Sequence, residues 1–305
     1  MTTLSSALAR SVPATDKRAK PRVTPARVGA HVFLTTAAVL WLAPILWAFY
    51  TSLRSYNETA KYGYLSLPHH LTFENFRNAF TQANMLHFFW NSVLVTVPAV
   101  VITLFLASCV AFVLTRFSFW FNIPLLIIFT AGNLLPPQTL ITPLYRIYLT
   151  VHLPTFISSN GLLYNSYAGL IVINASFQLG FCVFVLSNYM KSIPIDITEA
   201  ALLDGASVWT RFWNLTLPLC RPALAALATL LTTWIYNDFF WAITLISSGD
   251  KRPITSALAN LQGQYFINQN LLAAGALITA VPTLVVYILL QKQFIAGLSL
   301  GSSKG

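Results

Sequence analysis

Long apolar runs that lack acidic and basic side chains dominate the chain. The first covers residues 28–53, and further runs free of Asp, Glu, Lys and Arg recur towards the C-terminus. They do not alternate apolar and polar residues, so the pattern predicts helices and not barrel strands. About 20 apolar residues cross a bilayer as a helix. Six spans are therefore predicted near 29–50, 92–115, 121–145, 163–187, 223–247 and 272–292.

Composition agrees with this pattern. Of the 305 residues, 56% are hydrophobic and 9% are charged, whereas about a quarter of the residues are charged in soluble domains. These values exclude a soluble globular enzyme and a disordered protein, and predict an all-α integral membrane protein. The three cysteines, Cys109, Cys182 and Cys220, are widely spaced. They form no disulfide framework and are interpreted as packing residues.

The placement of the basic residues predicts the orientation. Residues 1–27 carry six of the 18 Lys and Arg residues and one acid, Asp16. With this tail inside, the predicted inner segments hold twelve cations and the outer segments six, which puts both termini in the cytoplasm. The predicted organisation is a basic tail at 1–27, a membrane domain at 28–293 with an inner loop at 191–222, and a tail at 294–305. Because the basic run adjoins an apolar run, nucleic-acid binding is not expected.

The inner loop at 191–222 is not loop-like in sequence. Asp196 and Glu199 have capping-box spacing, and Gly205 follows Asp204 where a left-handed residue could end a helix. A second helix fits 207–215, with Leu217-Pro218 as its end. Helices this short need tertiary packing in water. Either the protein's own membrane helices or a cytoplasmic partner must cover them.

This loop carries residues that resemble a known motif, the EAA loop of ABC-importer permeases. The matching residues are Glu199, Ala200, Ala201, Asp204, Gly205, Leu217 and Pro218. The resemblance implies that the 196–215 helices enter a cleft of a separate ATPase subunit and couple it to transport. It also implies type I ABC-importer permease architecture.

Other segments resemble the permeases of carbohydrate importers of the maltose type. These are Phe89, Asn91 and Ser92, Pro136-Pro137, Pro143-Leu144-Tyr145, Trp234, Asn237-Asp238-Phe239, and the terminal Phe294, Gly297, Leu298, Gly301, Lys304 and Gly305. Ala242-Ile243 departs from the usual Pro-Leu pair. The resemblance implies a subunit of the bacterial cytoplasmic (inner) membrane, with a second permease, two ATP-binding cassette subunits and an extracytoplasmic substrate-binding protein as partners. Its implied substrates are a disaccharide, an oligosaccharide or a glycerol-phosphate compound. Because no cation lies in a predicted span to pair with phosphate, a neutral sugar is favoured.

The chain offers no catalytic or nucleotide-binding motif of its own. It contains no Gly-Lys pair, so it has no G-x-x-x-x-G-K-[ST] loop for ATP phosphates. ATP and Mg are expected on the partner ATPases, with no cofactor and no enzymatic activity in this chain. The tandem His69-His70 is interpreted as a surface pair and not as a metal site.

Polar residues within the predicted spans mark a candidate substrate pathway. Asp238 is the one acid within a predicted span, and helical spacing puts Trp234, Asn237 and Trp241 on its face. These residues could bind a sugar, clamp helices together, or carry protons in a secondary transporter, which is the alternative function. Asn174 and Gln178, four residues apart in the fourth span, could line the same pathway. Asn133 and Gln138 beside Pro136-Pro137 could line a cavity or satisfy freed backbone groups.

Overall fold

The computed structural model describes residues 25–81, 84–133, 135–261 and 268–299. Most of the predicted tail at 1–27 and residues 300–305 lie outside the described residues. The described residues divide into two units, 25–47 and 48–299. In the first unit, residues 25–47 form an apolar helix whose large side chains are mostly exposed.

The described residues are helical, apart from turns, loops and one isolated β-bridge between His152 and Leu162. In chain order the α-helices are α1 (Pro25–Ser52), α2 (Tyr56–Tyr62), α3 (Glu74–Thr81), α4 (Met85–Arg116), α5 (Asn122–Gly132), α6 (Ile141–Thr150), α7 (Tyr167–Lys191), α8 (Ile195–Leu203), α9 (Val208–Thr210), α10 (Leu217–Leu219), α11 (Arg221–Tyr236), α12 (Phe240–Leu245), α13 (Ile254–Ala257) and α14 (Gln269–Ser299). A π-helical turn at Arg211–Thr216 joins α9 to α10, and 3₁₀ turns occupy Pro137–Leu140, Gly249–Lys251 and Leu258–Leu261.

Four helices in the described residues are long and apolar enough to cross a membrane: α1, α4, α7 and residues 269–291 of α14. The number rises to six if two sharply bent helix pairs each count as one span. The predicted helices near 29–50, 92–115, 163–187 and 272–292 coincide with these four. The last helix continues to Ser299, past the predicted start of the tail at 294.

The core of the second unit is built on α4 and α7, which run parallel. Near their beginnings, the Tyr167 hydroxyl donates to the side-chain oxygen of Asn91 at 2.7 Å. Near their ends, Arg116 donates to the carbonyl of Met190 at 3.1 Å. Small buried residues such as Ala107 and Ala111 on α4 allow close helix packing. We call the end where α4 and α7 begin the distal end, and the opposite end the loop end, because the 191–222 loop follows α7 there.

The third predicted span, 121–145, is not one helix. The helical segments 122–132 and 137–150 meet at an angle of 93°. Pro136 and Pro137 lack the backbone N–H groups that a continuous helix would use, so the chain turns there. A close contact holds α5 against α7, since a Cβ on Gly180 would lie 2.0 Å from the carbonyl oxygen of Phe129.

The fifth predicted span, 223–247, is also interrupted. Helix α11 ends at Tyr236 and α12 begins at Phe240, with Asn237, Asp238 and Phe239 between them. A second change of direction precedes α11, where it meets the 208–219 segment at 71°. The interruption at 237–239 determines where the predicted pathway residues lie.

Candidate functional site

The N-cap of helix α8 lies two residues before the predicted cap at Asp196. Pro194 precedes the helix, and Asp196 is already its second residue, so the predicted capping box of Asp196 and Glu199 is wrong. The structure shows no side-chain cap on this helix. Asp196 instead lies in the first turn, where its negative charge interacts favourably with the positive end of the helix dipole.

The predicted end of this helix at Gly205 is confirmed by the backbone. Gly205 has φ +77°, the left-handed conformation that glycine adopts without steric cost. Its N–H donates to the Leu202 carbonyl at 3.0 Å, and the N–H of Ala206 donates to the Ala201 carbonyl at 2.9 Å. These two bonds form a Schellman motif, which fixes the direction in which the chain leaves α8.

Most of α8 is exposed in this chain. Glu199 and Ala200 are exposed, Ala201 is partly exposed, and among residues 195–203 Thr198 alone is buried. Large apolar side chains also face outward, with Leu203 89% exposed. The protein's own helices therefore leave the EAA side of the loop uncovered.

The second half of the loop is anchored. Ser207 caps it by accepting the N–H of Thr210 at 3.1 Å. Phe212 is only 4% exposed, and its ring lies 5.2 Å from that of Phe112 on α4. Trp213 stacks on Phe105 of the same helix, with ring centroids 6.1 Å apart. Aromatic packing thus joins this half of the loop to the core.

The predicted helix end at Leu217-Pro218 is wrong, because the helical path continues to Leu219. In a regular α-helix the Pro218 ring would meet the carbonyl of Asn214. The wider π turn lies immediately before it, and there the N–H of Leu217 donates to the carbonyl of Phe212. The chain therefore keeps its helical path through Pro218 and turns only at Cys220.

Asp238 connects three elements from its place in the interruption at 237–239. Its carboxylate accepts the N–H of Trp241 at 3.1 Å, which caps α12, and the side-chain amide of Asn174 on α7 at 3.2 Å. Its backbone carbonyl accepts the Thr255 hydroxyl on α13 at 2.9 Å. This geometry is that of an inter-helix clamp.

The other predicted pathway residues do not share one face with Asp238. Because the helix stops at Tyr236, Trp234 and Trp241 belong to different helices. Trp234 is exposed beside Phe181, whereas Trp241 is buried against Phe177. The predicted common face is therefore wrong.

The amide side chains are likewise divided. Asn174 is buried and joins Asp238, and Gln178, one turn later on α7, is half-buried. The side-chain amide of the exposed Asn237 donates to the carbonyl of Thr233 in the preceding helix, α11, at 2.8 Å. Asn133 also donates within its own turn, to the carbonyl of Phe129. Of the predicted set, the structure therefore brings Asn174 and the backbone of Trp241 to Asp238.

A buried polar network lies at the distal end, between α1 and α3, and was not identified from the sequence. Arg54 is 1% exposed and forms an ion pair with Glu58, with its Nε 3.4 Å from Oε1. Glu58 also accepts the backbone N–H groups of His69 and His70. These contacts hold the pKa of Glu58 below its ordinary value, and the hydrogen bond from the His69 N–H has the largest effect. The His70 N–H and the Arg54 charge lower the pKa further, whereas burial of the carboxylate raises it. The i, i+4 spacing of Arg54 and Glu58 is the sequence feature that could have indicated this ion pair.

A second set of hydrogen bonds at the distal end involves Asn91 and Ser92, two of the residues that resemble the carbohydrate-importer permeases. Both are buried at the start of α4. The Asn91 amide donates to the carbonyls of Asp250 and Arg252 at 2.7 and 3.0 Å, and the Ser92 hydroxyl accepts the N–H of Ile254 at 2.8 Å. These side chains hold the 246–254 segment against α4.

Comparison with known proteins identifies the class. Residues 77–293 match the family "Binding-protein-dependent transport system inner membrane component". The diacetylchitobiose uptake system permease of Streptomyces coelicolor is 34% identical over 275 residues, covering 90% of this chain and 87% of that protein. The melibiose/raffinose/stachyose import permease of Bacillus subtilis is 30% identical over 239 residues, covering 78% and 83%.

A solved structure supports the same fold. One chain of a bacterial ABC transporter that imports the acidic polysaccharide alginate has a TM-score of 0.73 at 21% identity, covering 90% of this chain and all of that chain. This protein is therefore a transporter permease and not an enzyme, and it belongs to the family of binding-protein-dependent transport system inner membrane components.

Proposed function

We propose that this chain is one of the membrane subunits of an ATP-driven importer of a neutral disaccharide or oligosaccharide. Family membership and the sugar-import permeases among its relatives support this function. The observation that carries the coupling role is the uneven burial of the 191–222 loop. Helix α8 is exposed, whereas Phe212 is buried against α4.

The proposed topology has six spans with both termini in the cytoplasm. The four long helices and the two bent pairs support six crossings. Several basic residues that fall at or near the loop end support its placement in the cytoplasm, since cations accumulate on that side. These are Arg116, Lys191, Arg211 and Arg221.

The two halves of the loop have different roles in this proposal. The exposed residues Glu199, Ala200 and Ala201 contact the ATPase, where small side chains allow close approach. Gly205 sets the angle between α8 and the anchored half. When ATP binding moves the ATPase subunits, Phe212 and Trp213 transmit that movement to α4. The ATPase can shift the permease between two states only as far as it binds one of them more tightly.

ATP and Mg bind to the partner ATPases, and this chain supplies no phosphate-binding loop. The remaining proposed partners are a second, similar permease and an extracytoplasmic substrate-binding protein. The structure of a bacterial alginate ABC transporter has been solved in complex with an alginate pentasaccharide-bound periplasmic protein. One chain of that complex matches this chain with a TM-score of 0.63 at 17% identity. It supports a shared fold.

The structural role of Asp238 argues against the alternative of proton-coupled transport. Its carboxylate is engaged by Asn174 and by the N–H of Trp241. A carboxylate whose two oxygens accept from α7 and α12 joins neighbouring elements, and this structural role accounts for an acid inside the membrane domain. We therefore place sugar contact on the exposed Trp234 and the half-buried Gln178, and assign Asn174, Asp238 and Trp241 to support them.

The proposal is tested by placing a charge on the exposed face of α8. In Leu203→Glu the chain loses no internal contact, so membrane insertion and thermal stability are expected to be unchanged. Co-purification of the ATPase in mild detergent and ATP-dependent sugar uptake are expected to fall at least tenfold, as for a buried unpaired charge at an interface. The matched control is Phe156→Glu, which alters a side chain that is 86% exposed in the segment leading to α7. Normal ATPase retention by Leu203→Glu would overturn the coupling assignment.

A second measurement addresses the energy source. In reconstituted vesicles, uptake is expected to require ATP, to persist with an uncoupler, and to survive Asp238→Asn. That variant keeps the oxygen that accepts the Trp241 N–H. Loss of uptake on adding the uncoupler, with ATP intact, would instead establish proton coupling.

A further inference from the structure

The distal segment 62–73, which we call the distal strap, presents its apolar side chains outward. Leu65 and Leu67 are 86% and 84% exposed, and Leu71 and Phe73 are also largely exposed. The strap contains no Asp, Glu, Lys or Arg. Single exposed apolar residues are ordinary on protein surfaces, whereas a contiguous group of this size marks an interaction surface.

The backbone of the strap is turned inward. Arg54 donates to the carbonyls of Gly63 and Tyr64 at 3.2 and 3.1 Å, and to the Ser66 hydroxyl at 2.7 Å. The carboxylate of Glu58 accepts the N–H groups of His69 and His70 at 2.8 and 3.3 Å.

Further bonds complete this arrangement. The Tyr50 hydroxyl donates to the carbonyl of Ser66, and the N–H of Thr72 donates to the carbonyl of Leu53 at 2.7 Å. A loop in water would satisfy its backbone with solvent and turn apolar side chains inward. The strap instead bonds its backbone within the protein and exposes its apolar side chains, as a segment that borders hydrocarbon must.

The strap is fixed at the level of a span end. Asn270 is the second residue of α14, whose residues 269–291 form a candidate span. Its fully buried side-chain amide donates to the Thr51 carbonyl in the last turn of α1 and to the Thr59 hydroxyl on α2, each at 2.9 Å. The ion pair that holds the strap is one turn from this junction. The strap therefore lies close to the end of α1 and the beginning of α14.

We propose that the distal strap lies on the membrane surface, with Leu65, Leu67, Leu71 and Phe73 inserted at the boundary between lipid headgroups and acyl chains. Tyr62 and Tyr64 on the strap fit this position, because tyrosine rings collect at membrane interfaces. The Arg54–Glu58 pair serves as the internal support that binds backbone groups of the strap while Leu65, Leu67, Leu71 and Phe73 face lipid. This inference does not depend on which substrate the protein transports or on the ATPase.

The test measures whether water or lipid surrounds the strap in a bilayer. Single variants Leu65→Cys and Leu67→Cys carry a nitroxide in a background with Cys109, Cys182 and Cys220 replaced by alanine. The intact complex is placed in bilayers of phosphatidylethanolamine and phosphatidylglycerol. Collision of the nitroxide with oxygen, which concentrates in lipid, is compared with collision with a water-soluble nickel chelate. The control label is at Lys61→Cys, on the exposed polar side of α2.

We expect the oxygen-to-nickel ratio at positions 65 and 67 to be several-fold higher than at 61. A ratio equal to that at 61 places the strap in water and overturns the proposal. Low collision with both reagents places it under a protein partner, such as a binding protein or second permease, and overturns it as well. If the cysteine-free background does not fold, the native chain can be used, because Cys182 and Cys220 are buried, and the labelling of the parent chain through the partly exposed Cys109 is subtracted. A water-soluble maleimide should then label Leu67→Cys several-fold more slowly than Lys61→Cys in native membranes, and equal rates would contradict lipid insertion.

Discussion

The two ends of the membrane domain are held together by different kinds of interaction. At the distal end, buried polar side chains bind backbone groups of distant segments, as Arg54, Asn91 and Asn270 do. At the loop end, aromatic rings pack between Phe212 and α4, and α8 makes little contact with the rest of the chain. Hydrogen bonds depend strongly on distance and angle. Ring packing tolerates several geometries.

This difference shows where each end can move. A shift of an ångström would break the bonds that Asn91 makes with the 246–254 segment, so that end has a few discrete arrangements. The aromatic contacts at the loop end can slide while they remain buried. An input that arrives at the loop end as a continuous movement would therefore be converted into an all-or-none change at the distal end.

The largest expected effect follows from removing the aromatic anchor. Phe212→Ala leaves a cavity beside Phe112, and burial losses of this kind cost about 3–5 kcal/mol of unfolding free energy. We expect a lower melting temperature of the purified complex and ATP hydrolysis that no longer drives uptake. The exposed Trp209 provides the control, since Trp209→Ala should leave the melting temperature almost unchanged. Equal effects of the two variants would show that the loop is not anchored through Phe212.

A somewhat smaller effect is expected from the distal network. Arg54→Ala leaves the carbonyls of Gly63 and Tyr64 without a donor, which we expect to cost about 2–4 kcal/mol of unfolding free energy in total. Thermal unfolding in detergent, followed by size-exclusion chromatography, measures this loss. The exposed Arg77 provides the control variant, Arg77→Ala. If both variants unfold at the temperature of the parent protein, the distal end is not held by this network.

The angle between the two halves of the loop is tested at Gly205. A Cβ there meets no neighbour, but φ +77° costs an L-residue about 1–2 kcal/mol. Gly205→Ala should therefore slow uptake and increase protease cleavage between α8 and α9. Gly205→Pro, which cannot adopt this φ and lacks the N–H bonded to Leu202, should abolish coupling while the chain still inserts. Gly249 also faces open space, without a positive φ, so Gly249→Ala should have no effect.

The smallest effect is a dependence of stability on pH through Glu58. Its pKa is lower in the folded protein than in the unfolded chain. Its charged form therefore contributes stability above the unfolded pKa of about 4.3, and this contribution is lost as the pH falls towards the folded pKa. The melting temperature of the parent protein should exceed that of Glu58→Gln at pH 7, by a margin that shrinks as the pH falls below the unfolded pKa. A margin independent of pH would show that the charge of Glu58 is not what holds His69 and His70.

The sequence predicted features that depend on local residue order. Hydropathy located the helices α1, α4, α7 and α14, because a span needs only an apolar run of sufficient length. The end of α8 at Gly205 was also predictable, since Asp204-Gly205 is a local turn signal. The extension through Pro218 was not, because a π turn leaves no mark in residue type or spacing.

Features that depend on distant partners could not be read from the sequence. The interruption at Asp238 lies in an apolar stretch, and its carboxylate is held by Asn174, 64 residues away. Asn270 binds Thr51, from which it is separated by 219 residues. One-dimensional hydropathy assigns such residues to loops or helix faces without indicating their bonds.

The exposure of α8 also has a consequence for the abundance of this subunit relative to that of its partners in the cell. In the proposed importer, a permease made without its ATPase would leave Ile195, Leu202 and Leu203 in contact with water, and such apolar surfaces favour aggregation and capture by chaperones and proteases. The assembled complex would conceal the same residues. Helix α8 would thus act as a degradation signal that only correct assembly removes, and the abundance of this subunit would follow that of its ATPase.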